Sequence, residues 1–165
     1  MELSRGGRVF ASHYQILICD DPHDHLPADM AWDDAAVQQG FAGGGRVLAV
    51  GTEADRNDHW VEVVCQTAPP DLSPWQRVTV APFTSLTGRL HVMSVTDSEP
   101  AVSLALGPGD YSVYIAGQNL GIDLDTRGEP EPLPDHELAT RRDLEWYRIY
   151  VVPGLPASTG RLKDA

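Results

Sequence analysis

The stretch DDPHDHLPADMAWDDAAVQQGFAGGG, Asp20–Gly45, is the one place where a helix signal interrupts an otherwise strand-like chain, and the reading of the fold works outward from it. Asp33 or Asp34 can serve as the N-cap or first-turn acid, Ala35 to Gln39 propagate a turn or two, and Gly40 stops the helix. Trp32, Val37 and Phe41 stand about one helical turn apart, so one side of this helix is apolar and is expected to rest on a sheet. The same stretch holds Asp20, Asp21, Asp24, Asp29, Asp33 and Asp34 with no Lys or Arg among them. Surfaces ordinarily dilute such charge with the opposite sign.

Outward from this segment the chain reads as strands. RVFASHYQILIC (Arg8–Cys19) is β-branched and aromatic; RVLAVGT follows the Gly43–Gly45 turn; HWVEVVCQ alternates in polarity. Pro69, Pro70 and Pro74 break the chain before WQRVTVAPF, which Pro82 is expected to end. Thr87-Gly88 and Gly107-Pro108-Gly109-Asp110 read as hairpin turns, the second between AVSLAL and DYSVYIAG. LEWYRIYVV returns as a strand. The segment Asn119–Arg142 is too polar for core, although DHELATRR can add a helical turn, and residues 154–165 read as a frayed tail. Eight short strands and one short helix predict a mainly β fold, an antiparallel β-sandwich in a single domain with its core in residues 8–153 and an irregular acidic insertion at 119–145.

The chain has 165 residues, enough to bury roughly two-thirds of its unfolded surface without a staple. Its 12 Lys and Arg face 24 Asp and Glu, a formal charge of −12. Such a field repels nucleic acid and anionic lipid and draws in basic partners. Cys19 and Cys65 each end an apolar run, where a buried free thiol fits a reducing, cytoplasmic setting; a disulfide between them is possible but unforced. No secretory leader and no membrane span is read.

Chemistry is hard to find. His23-Asp24-His25 offers two imidazoles and a carboxylate, but histidines two apart in a loop diverge unless the loop is extended. A further ligand would have to come from His13, His59, His91 or His136, and no H-E-x-x-H or C-x-x-C spacing supplies one. There is no G-x-S-x-G elbow, and Gly43–Gly45 precede a strand instead of opening a helix, so they cradle no phosphate. Paired carboxylates are too many for any pair to stand out as acid and base. Trp32, Trp60, Trp75 and Trp146 read as packing residues. The expectation is a protein with no metal or other cofactor. The rival is a small-ligand or metal-dependent hydrolytic module built on the His23/Asp24/His25 loop.

Several landmarks in order resemble the competence protein J family, bacterial inhibitors of the DNA-entry nuclease. They are Ser12, Tyr14 and Gln15; Trp32-Asp33-Asp34-Ala35 leading to Gly40-Phe41-Ala42; Glu53-Ala54 with Arg56-Asn57; Arg77-Val78-Thr79-Val80 closed by Pro82-Phe83; Gly88 with Leu90-His91-Val92; and Leu104–Leu106 into Gly109-Asp110-Tyr111. The resemblance covers Ser12–Gly117, and the acidic 119–142 segment and the tail depart from it. It implies a non-catalytic protein that binds a DNase and suppresses it. From charge alone, the expected contacts to a basic nuclease cleft are Asp29, Asp33 and Asp34, then Asp20, Asp21 and Asp24, with Trp32 half anchor and half core.

Overall fold

The computed structural model describes residues 3–23 and 32–164. Along the chain run β1 (Leu3–Ala11), β2 (Gln15–Cys19), α1 (Asp34–Gln39), β3 (Phe41–Gly44), β4 (Val47–Gly51), β5 (Asn57–Cys65) and β6 (Arg77–Ser85). Then come β7 (Arg89–Met93), β8 (Val102–Ala105), β9 (Gly109–Gln118), α2 (Asp135–Leu138), β10 (Trp146–Pro153) and β11 (Gly160–Asp164). Six strands form one sheet in the order β1-β5-β10-β9-β6-β11, and five form the other, β3-β4-β2-β7-β8.

The expected mainly β sandwich is present, with more strands than were read and with one departure from an antiparallel plan: β5 and β10 pair in parallel, Trp60 opposite Trp146. One apolar core joins the inner faces, Ile16, Ile18, Leu48 and Leu90 of the smaller sheet meeting Val61, Phe83, Val113 and Ile149 of the larger. Each of the largest side chains among them contributes about 2 kcal/mol by burial. On the outer face of the six-stranded sheet Trp75 and Trp146 pack at 5.2 Å between ring centres with Trp60 and Tyr150 beside them, so these three tryptophans are packing residues as expected.

The two turns read as hairpins are not hairpins. Residues 86–88 carry the chain from β6 in one sheet to β7 in the other, and residues 106–108 carry it from β8 to β9 in the same way. Alternating polarity shows only that each flanking strand has one apolar face; two such faces can lie side by side in a sheet or oppose each other across the core. The hairpins are instead β3–β4, closed by Gly45-Arg46, and β7–β8. Arg8–Cys19 likewise divides: His13 and Tyr14 both adopt φ 59°, turning β1 into β2 and into the other sheet.

Pro82 does not end its strand. Thr84 N–H points away from β9 to the Gly45 carbonyl, so Pro82, two residues earlier, sets its ring nitrogen on that same side, beyond the end of β11. The tail is not frayed: β11 pairs with β6, and Asp164 bonds Arg77 and Arg161. The 119–145 segment also has its own anchor, Leu124, Leu138 and Leu144 packing under Ile122, Leu133 and Trp60. Cys19 and Cys65 lie in different sheets and no disulfide joins them. Among the described residues no helix is long and apolar enough to cross a membrane.

Candidate interaction surface

Helix α1 is built as its sequence demands. Asp33, in extended backbone, caps it by accepting from Ala36 N–H at 2.8 Å, Asp34 supplies the first-turn acid, and Gly40 ends it at φ 92°. The expected apolar stripe is divided by the shortness of the helix. Ala36 is its buried residue, packing with Ala42 and Ala49; Trp32 is half-buried, its Nε1–H donating to Gln15 Oε1 at 2.9 Å; Phe41 joins the main core; and Val37 stands 58% exposed.

Beside this helix the β1–β2 turn presents Tyr14, 56% exposed. Two successive non-glycine residues at positive φ cost about 1–2 kcal/mol each, so the turn must be held. Tyr14 N–H donates to Asp55 Oδ1 at 3.1 Å, and the Tyr14 carbonyl accepts from Thr52 N–H at 2.8 Å. The 52–55 loop is fixed in turn by the buried carboxylate of Glu145. That group accepts from Glu53 N–H at 3.1 Å, Ala54 N–H at 3.0 Å, Gly121 N–H at 2.8 Å and the Tyr147 hydroxyl. Burial, reinforced by the Glu145 charge, pushes the Tyr147 phenol well above its ordinary range, which keeps it a donor.

Between α1 and this turn lies an open hollow of about 290 Å³, lined by Tyr14, Trp32, Val37, Glu53, Arg77 and Arg161, with His13 at its edge. Its charged lining residues belong to a chain of ion pairs: Glu53 to Arg77 at 2.5 Å, Arg77 to Asp164 at 3.1 Å, Asp164 to Arg161 at 2.8 Å. Burial pulls the Arg77 guanidinium down, but Glu53 and Asp164 outweigh it and hold the group above its ordinary value. Asp33 and Asp34 follow the lining residue Trp32 in the chain, and Asp55 accepts from the lining residue Tyr14; none of the three has an ion pair among the described residues.

The expected aspartates therefore do not share one surface. Asp33 and Asp34 lie at the hollow. Asp20 and Asp21 lie past the far end of β2, about 17 Å away along five strand residues. Asp20 is also 0% exposed, which rules it out as a contact. Its Oδ1 accepts from Ser85 Oγ at 2.8 Å, Thr87 Oγ1 at 2.9 Å, Leu86 N–H at 3.0 Å and Thr87 N–H at 3.1 Å, tying the β6–β7 turn to β2. Asp21 is half-buried and accepts from His23 N–H at 2.9 Å. Asp24, His25 and Asp29 lie outside the described residues. Burial pushes the Cys65 thiol up, away from thiolate chemistry.

Tyr14, Val37, Arg77 and Arg161 were not among the expected contacts. Tyr14 was read inside a strand, and nothing in its His-Tyr pair announces a turn that glycine or asparagine usually makes. Yet six residues that carried the family resemblance, Tyr14, Gln15, Trp32, Gly40, Glu53 and Arg77, are scattered along the sequence and meet around this one hollow.

A family model described as Competence protein J (ComJ) matches residues 8–126. No curated protein matches the chain significantly by sequence. Among solved structures, the fold is similar to the crystal structure of ComJ from Bacillus subtilis, described as the inhibitor of the DNA degrading activity of NucA, with a TM-score of 0.65 at 17% identity over 93% of this chain and 99% of that one. It is also similar to a protein described as crocagin biosynthetic gene J, with a TM-score of 0.58 at 12% identity over 91% of this chain and 97% of that one.

Proposed function

Because this chain belongs to the competence protein J family, we propose that it is a non-catalytic, stoichiometric inhibitor of a DNA-degrading nuclease, binding through the end of the sandwich that carries α1, Tyr14 and the 52–55 loop. A nuclease that grips DNA presents a cationic cleft. An acidic partner seated in that cleft competes with phosphate and is steered towards it. The inhibitory activity stated for the Bacillus subtilis protein of the same fold supports this reading. The observation that carries it is an open hollow walled by Tyr14, Trp32 and Val37, with Asp33 and Asp34 following Trp32 in the chain and Asp55 bonded to Tyr14 N–H, so that exposed apolar surface and acidic residues neighbour each other as protein recognition requires. Asp33 sits at a helix start and Asp55 holds a tight turn, so both are already ordered and lose little freedom on binding.

The test is titration of a NucA-type DNase from the same genome, with plasmid cleavage as the readout. Cleavage is expected to disappear at a molar ratio of about one, and Asp33→Lys with Asp34→Lys is expected to weaken inhibition at least about tenfold at low salt. Undiminished cleavage in the presence of excess protein would overturn the reading.

A further inference from the structure

Resting on the inhibitor reading, we propose that the hollow receives one uncharged side chain of the nuclease, aromatic or branched aliphatic, flanked on the nuclease by Lys or Arg. Three observations select this occupant. First, Tyr14 and Val37 are among the most exposed large apolar side chains of the described surface, and both open onto the same hollow as Trp32. The backbone that presents Tyr14 is held in an unfavourable conformation by Asp55 and Thr52, so the ring stands out by construction.

Second, the charges of the lining are already paired: Arg77 with Glu53, and Arg77 and Arg161 with Asp164 beside them. A charged side chain entering there would lose its hydration and meet no unmatched partner, whereas an uncharged one loses nothing and covers apolar wall. Third, Asp33, Asp34 and Asp55 lie outside that pairing; Asp33 and Asp34 are exposed and follow Trp32 in the chain, and Asp55 is bonded to Tyr14, so flanking cations of a nuclease seated on the hollow can reach them without being fully desolvated. His13, among the lining residues, is engaged through Nδ1 with Ser12 Oγ at 2.9 Å.

Centre and rim then respond differently to salt, because screening weakens exposed charge pairs and leaves apolar burial intact. The dissociation constant of the complex with the inhibited nuclease should be measured from low salt to about 0.5 M. Tyr14→Ala and Val37→Ser are expected to raise it at least about tenfold at every salt concentration with the slope against salt unchanged. Asp33→Asn with Asp34→Asn, in which asparagine keeps the helix cap, is expected to flatten the slope and converge on wild type at high salt. Val37 lies on an exposed helical face, so Val37→Ser leaves the fold intact even if Tyr14→Ala disturbs its turn. Wild-type inhibition with Val37→Ser binding as wild type, or with its loss confined to low salt, overturns the assignment of the hollow alone. Failure of the wild type to bind any such nuclease overturns the inhibitor reading and this one with it.

Discussion

Two buried carboxylates, Asp20 and Glu145, organise loops at opposite ends of the sandwich by accepting main-chain N–H groups that have no other partner nearby. At Asp20, burial pushes the carboxyl up, and the hydrogen bonds from Ser85, Thr87 and Leu86 outweigh it, leaving the group below its ordinary value. A carboxyl held lower in the folded chain than in the unfolded one stabilises the fold above its unfolded pKa, about 3.9, and that contribution drains away as pH falls through the folded value. Asp20→Ala is expected to cost about 3 kcal/mol near neutral pH, read from the shift in urea midpoint. Asp20→Asn should also flatten the acid limb of the stability curve, and an acid limb as steep as wild type would count against the assignment. At Glu145 both oxygens accept, so Glu145→Gln sets an amide NH2 against donors and should cost a comparable amount, about 3 kcal/mol. The local signature is faster amide exchange at Glu53, Ala54 and Gly121; unchanged exchange there would show that other contacts hold the loop.

Among elements, α1 is too short to stand alone and depends on what it touches. Gly40 combines φ 92° with a position where an added Cβ would lie 3.0 Å from both Arg161 Nε and Thr79 Oγ1. Gly40→Ala should therefore destabilise more than Asp33→Ala, about 2 kcal/mol against about 1 kcal/mol, in thermal or urea unfolding. The reverse order would mean that β11 can yield and that capping governs the helix. This helix was legible because cap, first-turn acid and stop are local signals, carried by Asp33, Asp34 and Gly40 within eight positions. Strand pairing was less legible. The residues around Gly88 and Gly107 have the chemistry of a turn whether the chain stays in one sheet or crosses to the other. β11 escaped notice because Gly-Arg-Leu-Lys-Asp offers one large apolar residue; backbone pairing and Asp164 hold it, and neither is visible as periodicity. Asp20 misled for a related reason. A run of aspartates reads as one charged patch, but its members are separated once the chain reaches the end of β2, where an unfilled turn in another element draws Asp20 inside.

At the scale of the whole molecule, a net charge of −12 gives a long-range pull on any basic partner but says nothing about where that partner lands. Most of the arginines are occupied in ion pairs, Arg8, Arg77, Arg127, Arg141, Arg142, Arg148 and Arg161 each facing a carboxylate. Among the described residues Asp33, Asp34 and Asp55 at one end and Asp21 at the other lack such partners, as do Asp97, Glu99, Asp110, Asp123 and Asp125 elsewhere, so being unpaired does not by itself select a docking face. Asp34→Lys and Asp21→Lys change the net charge equally, so any difference between them isolates position from overall field. The strand that separates the Tyr14 end from the Asp21 end, β2, is about 17 Å long, roughly twice the screening length at physiological ionic strength. In stopped-flow association with the nuclease at that ionic strength, Asp34→Lys is expected to slow binding about tenfold and Asp21→Lys by less than about twofold, the gap narrowing as salt is removed and the screening length grows. Equal slowing at physiological salt would mean that the nuclease meets the side of the sandwich spanning both ends, and that the hollow is not the centre of the contact.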